Sequence, residues 1–259
     1  MLIDTHCHLI DEYVNPADVP DIISRARDAG VGTIIAPCAD PSDPPKVLEL
    51  CGQYDNLFAT VGIHPEFFGT PVNYKNLLSH PRVVGVGEIG LDYHYGTDSR
   101  AAQIDMFMAQ LEIANNAGLP VAIHTRDAED DTAAILCDPQ YAGLGGGGVP
   151  GVMHCYTSGW DLAAKMLDRG FYFSASGIIT FKNAEDVRDV FRRLPVDRIV
   201  IETDSPFCAP IPYRGKKCEP AMVAEVAKTI ADIRGIPMPE LKDILRKNTK
   251  RLYPKLQIK

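Results

Sequence analysis

The residues of this chain best suited to chemistry are histidines and carboxylates at the ends of short apolar runs. The first run, LIDTHCHL (2–9), carries Asp4, His6 and His8. On an extended strand, residues i, i+2 and i+4 face one side. Three polar groups on one face make poor core, because each buried polar atom needs a partner. A metal ion is the natural common partner of two imidazoles. Later runs end in His64, His124 and His154, and two more carry Glu88 and Asp204 at their ends. Five of the seven histidines therefore lie at run ends. His80, before Pro81, and His94, just past a run, read as ordinary hydrogen-bonded residues.

Imidazoles with carboxylates suit Zn²⁺, Mn²⁺ or Fe²⁺, and with water they hold Mg²⁺ less comfortably. Six ligands (His6, His8, Glu88, His124, His154, Asp204) are too many for one catalytic zinc, which takes three and a water. Two divalent ions sharing a carboxylate use them naturally, and such pairs hydrolyse esters. A lone strand-end histidine is more often a packing residue. Several such ends plus two carboxylates are costly to explain as packing, since an unpaired buried charge destabilises by several kcal/mol.

The elements that must position these groups follow a rhythm. Eight apolar runs (2–9, 32–39, 57–64, 83–90, 119–125, 149–156, 170–177 and 198–204) alternate with helical stretches. Those at 18–30, 100–118 and 159–170 end in glycine, a usual helix stop. Another spans 184–194, weaker ones fall at 42–54 and 72–80, and two follow the last run at 220–235 and 239–253. Runs without strict alternation suit strands buried on both faces. Eight βα units in 259 residues predict an α/β (β/α)8 TIM barrel with the metal site at its C-terminal mouth. A doubly wound sheet is the competitor. The rhythm crosses the glycine run at 145–148, expected to be a flexible loop, so 1–259 reads as a single domain.

The net charge is −8, so the overall field does not favour a nucleic-acid backbone, and local cations would have to supply that contact. No run is long enough to span a membrane. The first residues lack a secretory signal, and seven scattered cysteines suit reduced thiols, so the cytoplasm is the expected compartment. Each cysteine is expected to be a small buried apolar residue.

The motifs DTHCHL (4–9), GIHPE (62–66), GEIGLDY (87–93), IHTRDA (123–128), MHCYTSG (153–159), ETDSPF (202–207) and YRGKKCEP (213–220) together resemble the TatD family of metal-dependent deoxyribonucleases, amidohydrolase-like barrels. The resemblance runs nearly end to end. It implies two metal ions (Mg, Mn or Zn): one on His6, His8 and Asp204, a second on His124 and His154, with Glu88 bridging. It implies a hydrolase acting on DNA, single-stranded or at ends. Asp204 is then the candidate general base. His64, Arg126, Tyr213, Arg214, Lys216 and Lys217 are candidates for substrate contact, each with a plain alternative: a loop hydrogen bond for His64, a pair with Asp127 for Arg126, a solvated loop for the rest. Glu202, two before Asp204, is placed to orient a ligand. One departure is Cys218, where the family pattern has asparagine; Ser205, where alanine is common, reads as neutral. The competing readings are a metallohydrolase of a small lactone, amide or phosphate ester, and a binding protein that keeps only the fold.

Overall fold

The computed structural model describes residues 1–10, 13–94 and 96–257. Eight parallel strands form one sheet in sequence order: β1 Leu2–Asp4, β2 Val31–Pro37, β3 Leu57–Thr60, β4 Val83–Asp92, β5 Val121–Arg126, β6 Gly151–Met153, β7 Tyr172–Ala175 and β8 Ile199–Ile201. The sheet closes on itself. Thr5 N donates to Ile201 O at 3.1 Å, Asp204 N to His6 O at 2.9 Å, and Cys7 bridges Ser205 in parallel. The chain is a TIM barrel, and the doubly wound alternative falls.

Helices α1 Val19–Asp28, α2 Asp43–Gln53, α3 Arg100–Ala117, α4 Glu129–Leu136, α5 Trp160–Asp168, α6 Glu185–Arg193, α7 Val223–Arg234 and α8 Met238–Leu252 pack outside. Gly118 and Gly235 stop α3 and α7 with φ of 62° and 63°, a left-handed conformation that costs glycine nothing. The expected helix at 72–80 is a single 3-10 turn, Lys75–Leu77. Conversely, α4 was not among the helical stretches read from the sequence. Its buried stripe is only Thr132, Ala133 and Leu136, too narrow to mark a period. The glycine run forms a tight turn over Leu144–Gly147, with Gly145 and Gly146 at φ 66°. Among the described residues, no helix is long and apolar enough to cross a membrane.

The barrel interior is layered. Its lower layer is apolar: Ile35, Phe58, Val84, Ala122, Val152, Tyr172 and Val200, one from each of β2 to β8, closed from below by Leu252, Tyr253 and Leu256. Strand period two then aims the next inward positions at the mouth. Within β5, Ala122 leads to His124; His154 stands just past the end of β6, and Glu202 and Asp204 just past the end of β8.

Candidate metal centre

The opening polar face of the first run divides. Regular pairing of β1 ends at Asp4, so His6 and His8 lie beyond it. Asp4 turns away from the mouth and ties β1 to the end of β8, accepting from Thr203 N at 2.9 Å and Thr203 Oγ1 at 2.6 Å. Burial pushes its carboxyl up to about 8.

Glu88 is the centre of the mouth. Its Oε1 lies 2.9 Å from His124 Nδ1, 3.2 Å from His154 Nε2 and 3.7 Å from His64 Nε2. Its Oε2 lies 3.3 Å from His6 Nε2 and 3.9 Å from His8 Nε2. Asp204 Oδ1 stands 3.9 Å from both His6 Nε2 and His8 Nε2. The structure thus brings together all six residues that the sequence proposed as ligands. One glycine lets β4 approach β5 closely enough for this: Gly90 has φ 146°, and a Cβ there would sit 1.9 Å from His124 O.

The electrostatics follow from burial and these neighbours. Burial alone would raise the Glu88 carboxyl, but His154, His6 and His64 outweigh it and hold it well below the ordinary range. Burial pushes Asp204 up, with His154 and His6 pulling partway back. Burial also drives His8 down to about 3 and His64 down to about 4, so both imidazoles are neutral at neutral pH. His154 and His124 go the other way: burial lowers them, but Glu202 and Glu88 outweigh it for His154, and Asp92 and Glu88 for His124.

These residues fit divalent cations. His6 Nε2 is buried without a hydrogen-bond donor or acceptor paired to it, and it faces two carboxylates. His6, His8 and Asp204 present converging ligand atoms, as do Glu88, His124 and His154, and the two groups meet at Glu88. The donors are imidazole and carboxylate, suited to zinc or manganese.

A second ring of residues holds the first. Glu202 Oε1 lies 2.8 Å from His154 Nδ1 and accepts from Cys155 N at 2.8 Å. Asp92 Oδ2 lies 3.0 Å from His124 Nε2. Asp92 was not singled out from the sequence, although it stands inside GEIGLDY. Nor were two glutamines of α3. Gln103 clamps the Asp92 backbone, accepting from its N at 2.8 Å and donating to its O at 2.7 Å. Gln110 clamps Ile63, beside His64, at 2.8 and 2.9 Å. Two buried glutamines seven apart among Met106, Phe107, Leu111 and Ala114 are the signal that marks them.

The candidate substrate contacts are placed less tightly. His64 lies in the mouth, and its Nδ1 accepts from Glu66 N at 3.3 Å. Arg126 is exposed at the end of β5, while Asp127, its suggested partner, lies 3.1 Å from His94 Nδ1. Arg214, Lys216 and Lys217 are exposed and Tyr213 half-buried. The Arg214 guanidinium stacks 3.7 Å from the Phe181 ring centre, and Lys216 Nζ is 5.9 Å from that of Tyr213. Cys218 is buried, and its carbonyl accepts from Ser205 Oγ at 3.0 Å. Ser205 is therefore not neutral: it pins the base of the basic loop beside Asp204. The cysteines also depart from expectation, since Cys137 is exposed and Cys155 and Cys208 are half-buried.

The family description "TatD related DNase" matches residues 3–254. An uncharacterized metal-dependent hydrolase of Escherichia coli (strain K12), YcfH, is 38% identical, covering 97% of this chain and 95% of the relative. The Bacillus subtilis (strain 168) hydrolase YabD is 36% identical, covering 98% and 99%. The crystal structure of YjjV, a TatD homolog from Escherichia coli K12, superposes with a TM-score of 0.88 at 30% identity, covering 98% of each chain. With imidazoles and carboxylates converging at the mouth of such a barrel, the chain belongs to the TatD family and is a metal-dependent hydrolase.

Proposed function

We propose that the protein is a two-metal deoxyribonuclease that shortens DNA, single-stranded or from ends. One observation carries the step from hydrolase to nuclease. Arg214, Lys216 and Lys217 are exposed, and no carboxylate among the described residues lies within ion-pair distance of them. They ride on the segment that carries Asp204, in a chain of net charge −8. Cations left unpaired beside a reacting centre suit a polyanionic substrate, and Arg214 is held flat on Phe181 for a phosphate.

His6, His8 and Asp204 would hold one divalent ion and His124 and His154 a second, with Glu88 between the two groups; such ions would supply Lewis acidity and lower the pKa of water. Asp204, whose Oδ1 stands 3.9 Å from His6 and His8, accepts the proton of the attacking water. His64 reaches the same space from the segment after β3 and donates to, or orients, a phosphate oxygen. Arg214, Lys216 and Lys217 hold the flanking backbone without reading bases, so cutting is independent of sequence.

The test is degradation of end-labelled single-stranded DNA by metal-stripped protein with Mg²⁺, Mn²⁺ or Zn²⁺ restored. Stepwise shortening with metal, lost in Asp204→Asn, supports the reading. Protein that holds two ions per chain yet leaves DNA intact, while cleaving a lactone, amide or phosphomonoester, overturns it in favour of a small-substrate hydrolase.

A further inference from the structure

Two thiols stand beside the mouth and take no part in the hydrolase chemistry above. Cys155 follows His154, and Cys208 lies four residues past Asp204. The Sγ atoms of both and a carboxylate oxygen of Asp204 all lie within 4.8 Å of one another. Cys208 Sγ is 3.6 Å from Asp204 Oδ2, and Cys155 is in side-chain contact with Cys208. Asp204 uses its other oxygen, Oδ1, toward His6 and His8. One carboxylate therefore looks two ways.

The backbone bends to build this arrangement. Among the described residues, the non-glycine residues with positive φ are Asp127, Cys155 at 40°, Asp204 at 55° and Cys208 at 52°. Aspartate tolerates that region, but cysteine gains nothing there. Such conformations cost about 1–3 kcal/mol each and persist where a site demands them. Here they aim three donors at one point.

We propose that Cys155, Cys208 and Asp204 Oδ2 form a separate cation site for a thiophilic metal ion, sharing Asp204 with the hydrolase centre. The donor set is soft, unlike the imidazoles and carboxylates of the mouth, and so selects a different ion. The spacing fits. Bonds of about 2.3 Å to sulfur and about 2.1 Å to oxygen, at tetrahedral angles, set donors roughly 3.6–3.8 Å apart. The thiols are half-buried, so an ion can enter from solvent. On binding, each thiol releases its proton to solvent as its sulfur bonds the metal, and no oxidant is needed. Because the carboxylate is shared, occupancy removes one Asp204 oxygen from proton transfer and couples thiophilic metals to the hydrolase as inhibitors.

The probe is Cd²⁺ added to metal-stripped protein, read by the ultraviolet thiolate-to-metal charge-transfer band. Imidazole and carboxylate donors give no such band, so the hydrolase centre is silent. The expected result is a band whose final height corresponds to two thiolate donors per chain, whatever further Cd²⁺ the silent hydrolase centre takes up. Cys155→Ser or Cys208→Ser loses about half of it or more, one of two sulfur donors being gone; Cys137→Ser keeps it. A second measurement needs no variant: alkylation of the wild-type protein, resolved by peptide, in which Cd²⁺ protects Cys155 and Cys208 together by about tenfold or more. No band in the wild type, an undiminished band in Cys208→Ser, or equal alkylation with and without Cd²⁺ overturns the proposal.

Discussion

From β2 to β8, each strand sends one apolar side chain to the bottom of the barrel, and several send an ionisable one to the top two positions later. Ala122 and His124 differ by one step of the pleat within β5, while His154 and Glu202 stand just past the ends of β6 and β8, two residues after Val152 and Val200. The lower layer is held by dispersion and burial, which are non-directional and need only volume to match. The upper layer is held by direction. Two imidazoles there have a defined oxygen on each side: Glu88 and Asp92 for His124, Glu88 and Glu202 for His154. The contrast teaches that the two layers fail differently. Damage below lowers stability and leaves chemistry in the survivors; damage above removes chemistry and leaves the fold.

The sharpest way to break that contrast is at Glu88. Glu88→Gln keeps the shape but removes the charge that both ligand groups share. Hydrolysis falls about 10³-fold or more, the scale on which losing one central electrostatic group is felt. Metal content measured by mass spectrometry drops below two ions per chain, while circular dichroism is unchanged. Unfolding of the variant would erase the distinction between layers.

The converse change lies at the bottom. Tyr253 is fully buried, closing the apolar layer from below. Tyr253→Ala destabilises by about 3–5 kcal/mol, the usual cost of deleting a buried aromatic ring. Activity per folded molecule stays within about twofold, since no metal-facing atom moves. Urea midpoints and metal-restored rates on one preparation measure both. A rate loss that exceeds the loss of folded protein would show that the layers are coupled.

Between these extremes lie the residues that orient the ligands. Glu202→Gln and Asp92→Asn each leave an imidazole in place but release its far nitrogen. Each lowers metal affinity or activity by about 10–100-fold, the range found when such partners are lost. Isothermal titration with Mn²⁺ reads it: in both variants the loss falls on the ion held by His124 and His154, while the ion on His6, His8 and Asp204 stays bound. If either variant binds and turns over as the parent does, that contact is packing only.

The six candidate ligands were legible in the sequence because their chemistry is written in residue type, and a strand end fixes where each must point. The barrel was legible for a similar reason: βα alternation is a local signal that survives without contacts. What stayed hidden depends on who meets whom. Asp92 was in plain view, yet only the fold places it against His124. Gln103 and Gln110 gain their meaning from loops that α3 packs beneath. Asp4 was grouped with His6 and His8 by strand period, but the strand ends at Asp4, and period two holds only while a strand lasts. The two half-buried cysteines looked like core because composition cannot show a left-handed backbone.

The smallest effect concerns protons in the upper layer, and His64 isolates it. Burial drives this imidazole down to about 4, below its ordinary 6.5. Between those values the unfolded chain holds a proton that the folded chain excludes. Stability must then fall as pH is lowered, by about 1.4 kcal/mol per pH unit for one proton. His124 and His154 are raised and work in the opposite sense, so the total slope of the parent is not diagnostic. The difference is. In metal-free protein, His64→Gln gains on the parent as pH goes from 6.5 toward 4, read from urea midpoints at each pH. Below about 4 the gap stops widening, because both states of the parent are then protonated. A gap that stays constant across this window would mean that His64 is solvated in the folded protein, and that the upper layer reaches only as far as Glu88 and its other imidazoles.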